Sequence, residues 1–489
     1  MSDDILEQAK QIAAQEIKAT RQISEVVTEF NERFMVVNEA GKALIYAPEF
    51  DSIMKRRIYN RMGFRDFQAL FMNRMIEVGV NKSGDPVRKS AASVWLAHPD
   101  RRQFVGGVVF DPSNSNRRND VFNLWTGFAV EPKRGNWSLM RRHIEDVICS
   151  GDPDHIRYLM GWLARMVQRP AEQGEVAVVM KGGEGTGKGF VARAFKHILG
   201  THGLAISNSK HLVGNFNGHL RDVVFLFADE AFFAGDKAAI GSLKSLITEP
   251  YLTIEAKHAN AVQMPNYLHV MMASNEEWVV PASQDARRFF VLEVPATHKN
   301  DHAYFAKINA QMEAGGYEAM LFDLLNMDLS SFNVRAVPST EGLQTQRKLS
   351  LPIPELWWKD CLERGYVFRS RIGLEDVFGK WIEEASTELL FASYVEFAEK
   401  RRERHPLSRE TLGRFLVRMG LKTKRLQNAI IGEHIVDESN IHGGTSRVSK
   451  AVKHPRPSGY SIGTLDISRE AFTRATKLEV EWPDKGIEP

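Results

Sequence analysis

Apolar runs of strand length set the rhythm of the middle of the chain: 176–180 (VAVVM), 223–228 (VVFLFA) and 268–273 (LHVMMA). Each is followed by polar residues and then by apolar positions at helical spacing. Residues 171–300 therefore read as a largely parallel sheet with helices on its faces. Upstream, Ile5, Ala9, Ile12, Ala13, Ile17, Ile23, Val26, Val27 and Phe30 recur at helical spacing across 4–32, predicting one amphipathic helix or two. The runs 34–37 and 43–46 flank a polar turn and predict a hairpin, and 106–110 and 122–125 bracket a turn rich in Ser and Asn. Residues 1–135 thus read as an α+β domain, and 136–170 as a helical collar broken at Gly151-Asp152-Pro153. Residues 301–365 read as a helical lid or linker. In 366–489, helices over 389–402 and from Pro406, the second with Leu412, Phe415, Leu416 and Met419 inward, precede a Gly/Ser/Lys-rich stretch at 441–460 and a strand at 461–467. That order predicts a basic, winged-helix-like domain.

The whole is α/β and long enough for several cores: of 489 residues, 43% are apolar and 26% charged, which is far from a disordered composition. Lys plus Arg number 64 and Asp plus Glu 61, a net charge of +3, so contact with nucleic acid must come from local clustering. Cys149 and Cys361 stand alone, which excludes a disulfide scaffold or a thiolate zinc module and favours a reducing, cytoplasmic setting. The acidic start Met1-Ser2-Asp3-Asp4 is unlike a signal peptide, and every apolar run is far below the ~18 residues of a membrane span. No membrane partner is expected.

The strongest chemical signal is Gly182-Gly183-Glu184-Gly185-Thr186-Gly187-Lys188-Gly189-Phe190, which joins a buried strand to a helix with the spacing G-x-x-x-x-G-K of a phosphate-binding loop. Glycines let successive amides converge on an anion, and Lys188 adds a point charge. The Ser or Thr that commonly follows the lysine and holds Mg²⁺ is Gly189 here, leaving Thr186 as a candidate metal ligand. A second strand ends in Asp229-Glu230, suited to hold Mg²⁺ and to polarise a water. A third ends in Ser274-Asn275, whose amide could orient that water. Arg287 and Arg288 carry the planar fork suited to reach a phosphate held by a neighbouring subunit. Each of the last three patterns also has a bland reading: a solvated strand end, a turn asparagine, a surface ion pair.

Together these residues resemble superfamily 3 helicases, in the branch of phage and plasmid primase-helicases related to the poxvirus primase-helicase. The resemblance covers 182–288 and implies an AAA+-like P-loop core that assembles as a ring, usually a hexamer, with ATP and Mg²⁺ at subunit interfaces and 3′ to 5′ movement on single-stranded DNA. It further implies a DNA-gripping hairpin at 252–260, where Lys257 would contact a phosphate and His258 a sugar or base. Trp95, Trp125 and Phe128 are better read as core aromatics than as stacking platforms, and no primase metal cluster precedes Gly182, so a separate primase or polymerase is an expected partner.

Positive charge collects between Lys400 and Arg425, interleaved with Tyr394, Phe397 and Phe415 and joined later by Tyr460. It reads either as a face for duplex or forked DNA or as a solvated helix surface. The leading functional expectation is an ATP-driven ring helicase of phage or mobile-element replication, working in the bacterial host cytoplasm. The alternative is a nucleotide-gated origin-binding or loading ATPase that does not unwind processively. A metabolic kinase leaves the basic segment unexplained.

Overall fold

The computed structural model describes residues 2–39, 41–52, 56–81, 85–115, 118–207, 217–230, 237–255, 261–280, 282, 287–368, 380–439 and 445–483. The chain divides into two compact units, one of 1–279 with 287–338, the other of 280–286 with 339–489. The stretch 301–365, read from the sequence as one lid, is shared between them.

The first unit is built on five parallel strands: β1 (Ala177–Lys181), β2 (Gly203–Ile206), β3 (Phe225–Asp229), β4 (His269–Ser274) and β5 (Phe289–Glu293). Their order across the sheet is β2-β3-β4-β1-β5. Val178, Val179, Phe225, Leu226, Met271, Phe290 and Val291 are fully buried, as expected of strands covered on both faces. Two helices frame the sheet, α1 (Pro153–Gln168) and α2 (Lys188–Leu199), and Tyr317–Leu325 packs against both. Trp162 of α1 donates its indole N–H to the Val176 carbonyl at 3.0 Å and meets His269 edge-on. Asp152 caps α1 by accepting from the amides of Asp154 and His155, so the Gly-Asp-Pro break is a helix start.

This connectivity opens a crevice. From β1 the chain passes through α2 to β2, three places away on one side, whereas from β4 it runs to β5 on the other. Right-handed crossovers send those two connections to opposite faces, parting the carboxyl ends of β1 and β4.

Ahead of the sheet, a single helix, Ser2–Arg33, precedes the hairpin of Met35–Glu39 with Lys42–Asp51. Trp95 is fully buried and donates to Asn31 Oδ1 at 2.9 Å, while Trp125 and Phe128 pack against the core. One expectation is corrected: Gly107–Val109 and Val121–Asn123 pair in parallel, so the Ser/Asn-rich stretch read as a turn belongs to a crossover. Asp111 organises it, accepting from the Ser113 amide at 3.0 Å and the Ser115 hydroxyl at 3.0 Å.

In the second unit, Glu384–Ser386, Ser458–Ser461 and Lys422–Arg425 form an antiparallel sheet beside the helices Thr387–Lys400 and Arg409–Arg418. Leu412, Phe415, Leu416 and Met419 are buried as the spacing predicts. Within the Gly/Ser/Lys-rich stretch, Thr445–His454 is a strand paired with Ala429–Ser439. The strand expected at 461–467 is overturned: Gly463, with φ 85°, turns the chain, and Thr464 accepts the Ile467 amide to start a helix, Leu465–Thr476. Phe472, fully buried on that helix, supplies its inward face.

Candidate functional site

The loop 182–187 leaves the carboxyl end of β1 and turns directly into α2. Gly185 and Gly187 have φ of 71° and 95°, values that L side chains rarely adopt. Close contact reinforces the choice: a Cβ on Gly182 would stand 2.5 Å from the Val294 carbonyl oxygen, and one on Gly187 2.6 Å from the His143 ring. No amide from Gly183 to Gly187 donates to another described residue, so these N–H groups, at the positive end of α2, form a cradle suited to an anion.

Lys188 is folded into that cradle. Its Nζ donates to the carbonyls of Gly182 and Gly183, both at 2.6 Å, and the residue is 9% exposed. Burial pulls its pKa below the ordinary lysine value, against the carboxylates of Glu230, Asp229 and Glu184. Thr186 is buried, and its hydroxyl donates to the Gly183 carbonyl at 3.0 Å.

Pairing in the sheet brings the other candidates to the same edge. Asp229 lies opposite Ala273, and Ser274 opposite Lys181, so β3, β4 and β1 end almost level. At about 4.8 Å per strand, Asp229 lies about 10 Å across the edge from β1, with Asn275 emerging between them. Glu230 follows in the left-handed region, φ 53°, its amide donating to the Ala273 carbonyl at 2.9 Å. The Asp229, Glu230 and Asn275 side chains are exposed to the crevice edge, and Gly182 N donates to Ser274 O at 3.1 Å, tying loop to strand.

Arg287 and Arg288 stand apart. They precede β5 at the amino edge of the sheet, where the Arg288 carbonyl accepts from Ala177 at the start of β1. A strand's length separates them from Lys188, so within one chain they are not part of this site. Both are exposed. The strands Tyr251–Ile254 and Val262–Pro265 pair as expected of the hairpin, but its tip, with Lys257 and His258, lies outside the described residues.

Several residues that shape the loop carry no sequence signal. His143 is fully buried; its Nε2 lies 3.2 Å from the Gly187 carbonyl and its Nδ1 3.1 Å from the Tyr304 hydroxyl. A carbonyl only accepts, so Nε2 carries the proton and Nδ1 accepts from Tyr304. Burial pushes the His143 pKa down to about 4, consistent with a neutral ring. Tyr304 stacks on His298 with ring centres 3.7 Å apart, and the Asn300 amide donates to the Gly185 carbonyl at 3.1 Å. Residues 298–305 thus back the loop, Asn300 directly at the Gly185 carbonyl and Tyr304 through His143 at that of Gly187. Their separation in sequence, more than 100 residues from Gly187 in the case of His298, hides them from motif reading.

Four cations of the basic segment of the second unit are held in ion pairs. Arg418 pairs with Glu355, Lys424 with Glu384, Lys400 with Glu396 at 2.9 Å and Arg409 with Glu388 at 3.6 Å. Tyr394, Phe415 and Tyr460 belong to the core, so they are not stacking platforms. Arg401, over Phe397 at 4.8 Å, and Arg402, Arg404, Arg414, Lys422 and Arg425 remain without an ion pair among the described residues.

Comparison with known proteins places this site in context. Residues 180–288 match a family of unknown function (DUF5906). Over 145 residues, 29% of this chain and 20% of the relative, the sequence is 28% identical to a DNA primase-polymerase of Nitratiruptor phage NrS-1. The match therefore spans a fifth of that protein's length. The apo structure of the NrS-1 C-terminal region aligns over 83% of this chain and 95% of its own, with a TM-score of 0.53 at 15% identity. A JCV helicase structure aligns over 46% of the chain with a TM-score of 0.26. The chain thus shares a mixed α/β fold with the NrS-1 region and is homologous in part to a phage replication enzyme. No helix among the described residues is long and apolar enough to cross a membrane.

Proposed function

We propose that this chain is an ATP-driven, ring-forming DNA helicase or translocase of the superfamily 3 type, acting in phage or mobile-element replication beside a separate primase or polymerase. The observation that carries the reading is the convergence of Lys188, the unpartnered loop amides, Asp229, Glu230 and Asn275 on one sheet edge at a switch point. The first unit is then an AAA+-like P-loop core. The loop amides and Lys188 hold the triphosphate, Lys188 exchanging its two carbonyl partners for phosphate oxygens. Asp229 would hold a magnesium ion, which when bound would neutralise phosphate charge. Glu230 takes the proton of the attacking water, and Asn275 orients that water.

The position of Arg287 and Arg288 at the opposite edge favours action in trans: in a closed ring, the amino edge of one sheet can face the carboxyl edge of the next. Hydrolysis would then move the hairpins bearing Lys257 and His258 along single-stranded DNA. In the second unit, the small antiparallel sheet with its helices and the hairpin of 429–454 is a winged-helix-like module, and the unpaired Arg401, Arg402, Arg404, Arg414, Lys422 and Arg425 would meet forked DNA.

The test is strand displacement from a forked substrate. Unwinding with ATP, none with a non-hydrolysable analogue and none for Lys188→Ala is the expected result; a wild-type ATPase rate in Lys188→Ala overturns the assignment. A second reading has its own observation. Gly189 offers no hydroxyl and Thr186 spends its own on Gly183, so a weakly held metal and slow hydrolysis fit a nucleotide-gated origin-binding ATPase. ATP-dependent DNA binding without strand displacement would favour it.

A further inference from the structure

Gly189 leaves more than a missing hydroxyl. On α2, residue 193 lies one turn after 189 on the same face, and helical side chains lean toward the N-terminus. Arg193 leans that way: its Nη1 stands 2.8 Å from the point a Cβ on Gly189 would occupy, and its guanidinium covers the Phe190 ring at 4.5 Å. Glycine at 189 is what gives the guanidinium this room, and any larger residue would push it aside.

Two further observations define the charge. Arg193 is exposed and makes no hydrogen bond or ion pair with a described residue, so its five N–H donors are uncommitted apart from the ring face. Crowding lowers its pKa, against the pull of the Asp229 carboxylate, and it stays cationic at any physiological pH. The Asp229 charge opposes the same lowering at Lys188, so both cations feel the carboxylate at the end of β3.

In loops of this spacing that carry Ser or Thr after the lysine, the hydroxyl holds Mg²⁺, which bridges the phosphates. The donor set here is thinner: Thr186 is committed to Gly183, and among the described residues no group of three or more His, Cys, Asp or Glu side chains gathers.

Resting on the nucleotide reading above, we propose that Arg193 is a second phosphate-binding residue, its guanidinium lying over Gly189 and contacting the nucleotide's phosphate tail directly where other loops use a hydroxyl-held magnesium ion. The fork geometry of arginine suits two phosphate oxygens at once, and the stack on Phe190 holds it in place before nucleotide arrives. Nucleotide binding by this chain then depends less on magnesium than in loops with the hydroxyl.

Equilibrium binding of a fluorescent ADP analogue to the full chain tests this, in EDTA and in millimolar Mg²⁺. Arg193→Gln is expected to weaken binding in EDTA roughly ten- to a hundredfold, the scale of charge-assisted hydrogen bonds. Arg193→Met keeps an apolar stem over Phe190 without the charge and should lose as much. Gly189→Ser, which displaces the guanidinium and restores a hydroxyl, should make binding more dependent on magnesium than in the wild type. Wild-type affinity in EDTA for either Arg193 variant, with Lys188→Ala weakened, overturns the role of Arg193 and leaves the nucleotide site standing. Wild-type affinity in Lys188→Ala as well removes the nucleotide reading itself.

Discussion

A buried histidine fixes the carbonyl of the residue whose backbone most needs fixing. Gly187 holds φ 95° with His143 and Phe305 packed where a Cβ would go, so Gly187→Ala meets both backbone strain and a clash. A loss of more than about 1 kcal/mol is expected, read as a lower Tm together with failure to bind nucleotide. His143 gives the site a pH signature. Its folded pKa near 4 lies below the 6.5 of an exposed histidine, so the unfolded chain takes up the proton first. Stability is therefore complete above pH 6.5 and falls as the pH drops toward 4, by about 3 kcal/mol at most. In thermal melts over that range, His143→Gln should flatten the slope relative to the wild type. The loop itself is legible in the sequence because strand, glycines and lysine are contiguous. His143, Asn300 and Tyr304 are not, because their contacts with the loop come from tertiary packing. Arg193 falls between: its spacing from Gly189 is visible, but the lean of its guanidinium over Gly189 shows only in the folded helix.

At the scale of elements, the central strands are legible because burial on both faces removes polar alternation. Elsewhere, local chemistry outweighs run length. Ser461, Ile462 and Leu465 look like strand positions, yet Gly463 and Thr464 place a turn and a cap between them. In the stretch between the parallel strands Gly107–Val109 and Val121–Asn123, Asp111 likewise accepts the Ser113 amide. Both cases rest on side chains that satisfy neighbouring amides, which hydrophobic periodicity does not register. Capping also predicts a cost at α1. Asp152 Oδ1 accepts from two amides, at 2.9 Å each, so Asp152→Ala should destabilise the chain by about 1 kcal/mol in denaturant unfolding without altering nucleotide affinity.

For the whole molecule, net charge conceals which cations are available. With Arg418, Lys424, Lys400 and Arg409 paired to carboxylates, a DNA face on the second unit depends on Arg401, Arg402, Arg404, Arg414, Lys422 and Arg425. Replacing Arg401, Arg402 and Arg404 together by Gln should weaken forked-DNA binding and flatten the dependence of log K on log salt by about 2 to 3, measured by anisotropy across salt concentrations. Unchanged affinity and slope would remove this segment from the DNA interface.

The second unit also claims a piece of chain from the middle of the first. Between Asn275 and Arg287, the Val280 amide donates to Gln346 Oε1 and the Ala282 amide to the Ser350 hydroxyl, each at 3.1 Å. The backbone therefore passes between the two units three times, once on either side of 280–286 and once after 338. Such a threaded module is not an interchangeable cassette. Recombination that grafts a foreign 339–489 onto this chain inherits a mismatched inner thread, so the two pieces must descend as a pair.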